Sequence, residues 1–297
     1  MDLLRKTSWD ALLAFAEFAE TRNFTRAAAR LHLSQPALHT KIGNLSAALG
    51  TPLYVRRGRE IDITESGRKV QRFARELEHS AAEFAGDLTQ GQAPAVVLAA
   101  GEGSYLYLLG AGLRAYRAKH SHPLRLETAT AASAVEAVSS ARAHLGVAAL
   151  DRLPRQLVIE PLTRVGQVLA LPTRHPLASR RQIQLKDLRE LPLILPPDGR
   201  PHRVMVSQAL QSAGIDTTPV IEASGWELML QFVQLGFGST VVNACCRMPP
   251  GVVARPMPEL PEIQYHLFHS KRLLSRAASE LRNQLLASAD DWRKKGK

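Results

Sequence analysis

Apolar residues in the N-terminal region recur every three or four positions, which predicts short amphipathic helices. The first helix ends at Thr21–Phe24, where this spacing is broken. Thr25 is the expected N-cap of a second helix over Arg26–Leu31. The residues that share the apolar face of the first helix are Trp9, Leu12, Leu13, Phe15, Ala16 and Ala19.

A third helix is predicted after a tight turn at His32-Leu33. Ser34 is a favourable N-cap, and Pro36 lies in the first turn, where its missing N–H costs nothing. The helix is expected to run to about Leu49, because Gly50 is a typical helix terminator. Two short helices joined by a turn form a helix-turn-helix.

Two short β-like runs follow, Leu53–Arg56 and Glu60–Ile63, on either side of Arg57-Gly58-Arg59. Runs of this length around a glycine-containing turn predict a hairpin. We therefore expect a wing with a basic tip beside the helix-turn-helix.

A long helix is predicted next, with Thr64 as its N-cap. Its apolar residues are spaced 3, 4, 4, 3 and 4, the pattern of a coiled-coil seam over nearly three heptads. A helix with one apolar face cannot bury that face alone, so we expect it to pair with a second copy of the chain. The seam is formed by Val70, Phe73, Leu77, Ala81, Phe84 and Leu88.

Beyond Gly91–Pro94, which is the predicted linker, short apolar runs alternate with helical segments. This alternation is typical of an α/β domain, and proline-rich breaks near 172–176 and 192–197 divide it again. The fold class is thus α+β in the N-terminal part and α/β in the C-terminal part. The expected strands are Ala95–Ala100, Arg125–Thr128, Leu145–Leu150, Gln167–Leu171, Leu193–Leu195, Pro219–Glu222 and Thr240–Asn243.

The positive charge of the chain is concentrated in the predicted helix-turn-helix and wing, which points to a function for this region. The net charge is +11, and the segment from Arg22 to Arg59 holds seven Lys or Arg residues and no Asp or Glu. Such a surface favours DNA phosphate as a partner. The alternative is an ordinary helical hairpin with a solvated basic face. The basic residues are Arg22, Arg26, Arg30, Lys41, Arg56, Arg57 and Arg59.

The third helix would present its N-terminal residues to the major groove of DNA. Gln35 can pair with adenine through two hydrogen bonds, and the Pro36 ring and the Thr40 methyl group can contact a thymine methyl. Basic side chains of the helix and wing would contact phosphates or the flanking minor groove. The candidate DNA-binding residues are Thr25, Ser34, Gln35, Pro36, His39, Thr40, Lys41, Arg56, Arg57 and Arg59.

Residues 12–67 resemble the winged helix-turn-helix of LysR-type transcriptional regulators. The matching features are Phe24 with Ala27-Ala28, the run LHLSQPAL, Leu49-Gly50, LYVR, and Ile63-Thr64 with Gly67. Downstream, HPLASRRQIQLKDLRELPLIL resembles the crossover into the second effector subdomain of that family, and LQFVQLGFGSTVVN resembles its glycine-rich helix-to-strand turn.

This resemblance implies a cytoplasmic regulator, a homodimer or homotetramer, that binds double-stranded promoter DNA and senses a small molecule. Its C-terminal part is expected to resemble a periplasmic binding protein, and contact with RNA polymerase is compatible with such a role. It implies DNA-contact roles for Gln35, Pro36, His39 and Arg56. The chain departs from the family at three positions, where the family commonly has Ser, Glu and Asp: His39, Ser46 and Gly146.

The predicted domains are a winged helix-turn-helix over 1–63, a dimerisation helix over 64–92 and an effector domain over 93–297. Within the last, subdomain 1 comprises about 93–166 and 269–297, and subdomain 2 about 167–268.

The effector is expected at the edge of the sheets, where open α/β folds place ligands. Ser104 follows a strand and opens a helix, which suits a carboxylate, although Glu102 beside it disfavours a simple dicarboxylate. The alternative is that these residues only cap helices or face solvent. The candidate effector-binding residues are Ser104, Thr128, Thr130, Arg200 and His202.

Other classes of protein lack their required motifs. There is no GxSxG elbow, P-loop or HExxH, and the His and Cys spacing does not suit a metal, so we expect no enzyme, cofactor or metal site. No apolar run reaches about 20 residues and no signal peptide is recognised, so no membrane is expected. Cys245 and Cys246 are adjacent and are expected to pack inside the protein.

The sequence thus predicts a DNA-binding transcriptional regulator controlled by an effector. Two alternatives remain open. The α/β part could serve only to oligomerise a constitutive DNA-binding protein, or the chain could be a solute-binding protein whose basic N-terminus is incidental.

Overall fold

The chain forms an N-terminal helical head, a long helix and two α/β subdomains. The computed structural model describes residues 7–58, 60–89, 94–216 and 218–290, so Arg59 and the predicted linker residues 91–93 lie outside the described part. The helices are α1 (Trp9–Thr21), α2 (Phe24–Arg30), α3 (Gln35–Leu49), α4 (Glu65–Thr89), α5 (Gly110–Lys119), α6 (Ala131–Ser139), α7 (Pro201–Ser212), α8 (Trp226–Gln234) and α9 (Arg276–Ala287).

Twelve strands are found in the described residues, and they form three sheets. The strands are β1 (Tyr54–Arg57), β2 (Glu60–Ile63), β3 (Val96–Ala100), β4 (Leu124–Thr128), β5 (Leu145–Ala149), β6 (Leu157–Val165), β7 (Gln167–Pro172), β8 (Leu193–Leu195), β9 (Ile221–Glu222), β10 (Ser239–Asn243), β11 (Val252–Pro256) and β12 (Ile263–Ser270).

The head is a three-helix unit with a hairpin. Ser34 caps α3 by accepting a hydrogen bond from the backbone N–H of Ala37, and Gly50 ends α3 with a φ of 64°, as the sequence predicted. The predicted cap of α2 is wrong. Asn23 has the extended backbone that an N-cap needs, and its Oδ1 accepts the N–H of Arg26 at 2.9 Å. Thr25 therefore lies inside α2, with its hydroxyl free for another contact.

Strands β1 and β2 pair in antiparallel fashion as the predicted wing. The first strand begins one residue later than expected, because Leu53 is fully buried in the core of the head instead of lying in the sheet. This core is built from α1, α3 and the wing, and its largest buried side chains are Phe15, Phe18, Leu38, Ile42, Leu45 and Leu53.

The long helix α4 is capped by Thr64, whose hydroxyl accepts the N–H of Gly67 at 2.9 Å, as predicted. Its apolar stripe is shared between two environments. Val70 and Leu77 pack against the core of the head, whereas Phe73 and Phe84 are 39% and 65% exposed. Phe84, in the C-terminal half of the stripe, is therefore open to a partner.

Subdomain 1 is a five-stranded mixed sheet in the order β4-β3-β5-β12-β6. Tyr116 of α5 and Leu281 of α9 pack on one face, and Val138 of α6 packs on the other. Gly146 in β5 faces the ring of Phe268, and a Cβ at this position would overlap that ring. The glycine that stands in place of the family's Asp is thus required by packing inside the sheet.

Subdomain 2 is a second five-stranded sheet in the order β11-β7-β10-β8-β9. Val206 of α7 packs on one face and Met229 of α8 on the other. The chain crosses into this subdomain at Gly166, between β6 and β7. It returns before Ile263, because β12 pairs with β5 and β6 of the first sheet. The expected boundary at 268 is therefore several residues too late.

Among residues 7–58, 60–89, 94–216 and 218–290, no helix has the length and apolarity needed to cross a membrane.

Candidate DNA-binding surface and inter-subdomain cleft

One face of helix α3 packs in the core of the head, and the opposite face is exposed to solvent. Leu38, Ile42 and Leu45 are buried in the head. The positions between them project outward, because residues three or four apart share a helix face. The exposed residues at its N-terminal end are Ser34, Gln35, Pro36, His39 and Thr40.

Gln35 is held in place by a neighbour on α2. The hydroxyl of Thr25 donates a hydrogen bond to Oε1 of Gln35 at 3.0 Å. One lone pair of Oε1 and both Nε2 hydrogens remain available, which is what adenine N6 and N7 require. Two of the predicted residues are thus brought together, with Thr25 as a positioning residue for Gln35.

His39 is exposed but rests on an aromatic cluster. Its ring lies 5.2 Å from that of Phe24, and its Nε2 is 3.5 Å from the hydroxyl of Tyr54 in the wing. These contacts fix the imidazole ring beside the exposed N-terminal residues of α3. Phe24 was a family match in the sequence, but its support of His39 becomes visible only in the fold.

The predicted phosphate-contact residues have different surroundings. Arg56 is exposed, with its guanidinium carbon 6.0 Å from the centre of the Phe24 ring. Lys41 forms an ion pair with Asp10, and Arg57 forms one with Asp62 at 3.3 Å. Both acidic partners are at least 47% exposed, so the cations can exchange them for phosphate at little cost.

The predicted effector residues lie around the edge of both sheets. Ser104 is buried and begins a helical segment, which is a five-residue π-helical turn, Ser104–Leu108. Thr128 is the exposed last residue of β4. Thr130, also exposed, caps α6 by accepting the N–H of Ser133. Arg200 is exposed at the start of α7.

His202 is buried, which the sequence did not indicate. Its Nε2 is 3.1 Å from Oε1 of Gln167, and its ring lies 4.5 Å from the indole of Trp226 in an edge-to-face contact. Burial lowers the pKa of His202 to about 4, so the imidazole is neutral at pH 7. Its Nδ1 and the Nε2 of Gln167 have no hydrogen-bond partner in the described part of the chain.

Two of the contacts between the subdomains involve the first turn of α8. A Cβ at Gly103 would lie 3.1 Å from the indole nitrogen of Trp226, so the indole lies directly against this glycine. The hydroxyl of Tyr107 donates to Oε1 of Glu227 at 3.3 Å. The first turn of α8 therefore meets the π-helical turn of subdomain 1.

Gln167 and Trp226 were missed as cleft residues. A signal was present in both cases: Gln167 is a polar residue at the start of the apolar strand QVLALP, and Trp226 follows a glycine at a helix start. Cys246 is buried as expected, and both its contact with the neighbouring thiol of Cys245 and its burial raise its pKa.

Comparisons with known proteins agree with this architecture. A family model described as bacterial regulatory helix-turn-helix protein, lysR family, matches residues 9–68, and one described as LysR substrate binding domain matches residues 89–290. The chain is 29% identical to the transcriptional regulator IlvY of Escherichia coli over 258 residues, 84% of this chain and 83% of that protein. It is 29% identical to the regulator BudR of Raoultella terrigena over 263 residues, 82% and 87% of the two chains.

The fold is also shared with solved structures. A full-length OxyR variant from Pseudomonas aeruginosa superposes with a TM-score of 0.70 at 20% identity, over 96% of this chain and 95% of that one. The helix-turn-helix match precedes the substrate-binding match, and together they cover most of the chain. The chain therefore belongs to the LysR family of transcriptional regulators, with a DNA-binding head and an effector-binding domain.

Proposed function

We propose that this regulator reads a pseudo-palindromic promoter site with α3 and the wing of two copies. The observation that carries the proposal is the N-terminal surface of α3, where Gln35 is oriented by Thr25 while the opposite face is buried. Gln35, Pro36, His39 and Thr40 would contact base edges. Ser34, Lys41, Arg56, Arg57 and Arg59 would contact phosphates or the minor groove.

We infer that α4 joins two copies. Phe84, 65% exposed on its apolar stripe, would be covered by the same helix of a second chain. A two-fold pair places two copies of α3 on half-sites one helical turn or a multiple apart. Two such dimers would form a homotetramer. The regulator bound at the promoter would then contact RNA polymerase.

The cleft between the subdomains is proposed to hold the effector. Ser104, Thr128 and Thr130 lie on the subdomain 1 side, and Arg200 and His202 on the other. A ligand there must displace or rearrange the Trp226 contact with Gly103, which changes the angle between the subdomains. The protein would act in the cytoplasm, where promoter DNA is found, by binding DNA and effector without catalysing a reaction.

Selection from random DNA followed by binding measurements tests the first proposal. Gln35→Ala should weaken binding to the selected site by about 1–3 kcal/mol and leave binding to random DNA unchanged. Gln211→Ala, an exposed glutamine on α7, is the matched control and should change neither. Equal losses on both DNAs would contradict a base-reading role for Gln35.

A thermal-unfolding screen of the full chain against small metabolites tests the effector proposal. A ligand at 100 times its Kd should stabilise the protein by about 2.7 kcal/mol, and His202→Phe should reduce this effect. If none of a broad set of metabolites gives saturable stabilisation, the constitutive alternative is favoured.

A further inference from the structure

A second cavity lies between α4 and subdomain 1, away from the cleft between the subdomains. Its volume is about 380 Å³, within the range of small-molecule sites. Three contacts surround this junction: Glu76 forms an ion pair with Arg272, the rings of His79 and His144 stack at 4.5 Å, and Arg22 bonds to Glu136 at 3.2 Å. The long helix and the effector domain thus meet around a void.

Glu76 supplies a charge that the protein leaves partly unpaired. Its side chain is 16% exposed, and its Oε1 accepts no hydrogen bond from any described residue. Arg272, which pairs with Oε2, is 59% exposed. Because Arg272 is exposed, it can leave the carboxylate when another cation takes its place and keeps the half-buried Glu76 paired.

The remaining walls suit an apolar body. Phe73, Leu77, Val138 and Leu274 line the cavity together with the two stacked imidazoles. His144 accepts the N–H of Val97 through Nδ1, and burial lowers its pKa to about 4. It is therefore neutral at pH 7 and does not repel a positive charge beside Glu76.

We propose that this junction cavity binds a small organic ammonium ion, with its amine on the Glu76 carboxylate and its apolar body against Phe73, Leu77 and Leu274. The site is separate from the cleft proposed for the effector. A molecule bound there contacts α4 and subdomain 1 together, so it would act on the angle between the DNA-binding head and the effector domain.

Calorimetric titration of the full chain with phenethylamine, phenethyl alcohol and phenylacetate tests this assignment. The amine should bind saturably and at least about tenfold more tightly than either analogue. Glu76→Gln should weaken amine binding by about tenfold or more and leave the alcohol unchanged. Glu65→Gln, an exposed carboxylate on the same helix, should have no effect.

A second variant tests the site if Glu76→Gln fails to fold. Ser80 is exposed on α4 and lines the cavity, so Ser80→Phe should fill the site without disturbing a core and should abolish amine binding. Absence of saturable amine binding at millimolar concentration, equal binding of the alcohol, or full binding by a folded Glu76→Gln protein would overturn the proposal.

Discussion

Gly146 lies where the ring of Phe268 leaves no room for a side chain. Gly146→Ala should lower the free energy of unfolding by about 1–3 kcal/mol, because overpacking a close-packed sheet forces backbone or ring displacement. Gly166→Ala is the control, since a Cβ there meets no atom within 4 Å and should change stability by less than about 0.5 kcal/mol. Equal unfolding midpoints of the two variants in urea would contradict the packing argument.

His39 is the residue of the reading surface that departs from the family. Its ring is held against Phe24 and near the Tyr54 hydroxyl, so its position on the surface of the head is fixed. His39→Ser should change the base preferred at one position of the selected site, with a discrimination of about 1–3 kcal/mol, and leave binding to random DNA unchanged. Selection with the variant should return a different motif; an identical motif would remove His39 from base recognition.

Helix α4 is attached to the head by a charged network around Arg75. Its guanidinium bonds to Glu17 at 3.0 Å, Glu20 at 2.9 Å and Glu78 at 2.9 Å, and it is 16% exposed. Burial raises the pKa of Glu17, but hydrogen bonds from Arg30 and Arg75 outweigh it and hold that pKa below its usual range. A carboxylate with a lowered pKa stabilises the fold at neutral pH, and this contribution is lost as pH falls through the folded-state pKa.

Arg75→Met should therefore lower the free energy of unfolding at pH 7 by on the order of 1–3 kcal/mol, because it removes the guanidinium shared by three carboxylates and leaves Glu17 with Arg30 alone. The difference from the native protein should shrink as the pH is lowered through the pKa of Glu17. Urea unfolding at several pH values measures both effects. Lys69→Met is the control: it removes an exposed ion pair of the same helix and should lower the free energy of unfolding by less than about 0.5 kcal/mol. A loss of stability in Arg75→Met that does not change with pH would refute the link to ionisation of Glu17.

Elements with strong local signals could be predicted from the sequence. Ser34, Pro36 and Gly50 define α3 because capping and termination depend on neighbouring residues. Strands β6, β11 and β12 were missed. In β12, IQYHLFHS, apolar and polar residues do not separate cleanly, and its place between β5 and β6 depends on partners distant in sequence. The contacts of Trp226 with Gly103 and His202 were unpredictable for the same reason.

In the molecule as a whole, the two subdomains are joined by two chain crossings and by side-chain contacts. These include the contact of Trp226 with Gly103 and the hydrogen bonds of Tyr107 with Glu227 and of Asn243 with Tyr265. Gly103→Val should displace the indole and expose it to water. Gly101→Ala is the control, because a Cβ there has ordinary contacts at 3.8 Å or more. Trp226 emission, taken as the difference between each protein and its Trp226→Phe counterpart, should shift to longer wavelength in Gly103→Val alone. Unchanged emission would mean that Trp226 does not close the cleft.

Base reading by two copies of α3 can be tested by hydroxyl-radical footprinting of the full chain on its selected site. We predict two protected segments on one face of the duplex, separated by about 10 base pairs or a multiple, and loss of both in Gln35→Ala at concentrations that saturate the native protein. A single protected segment, or equal protection of DNA of any sequence, would contradict the claim.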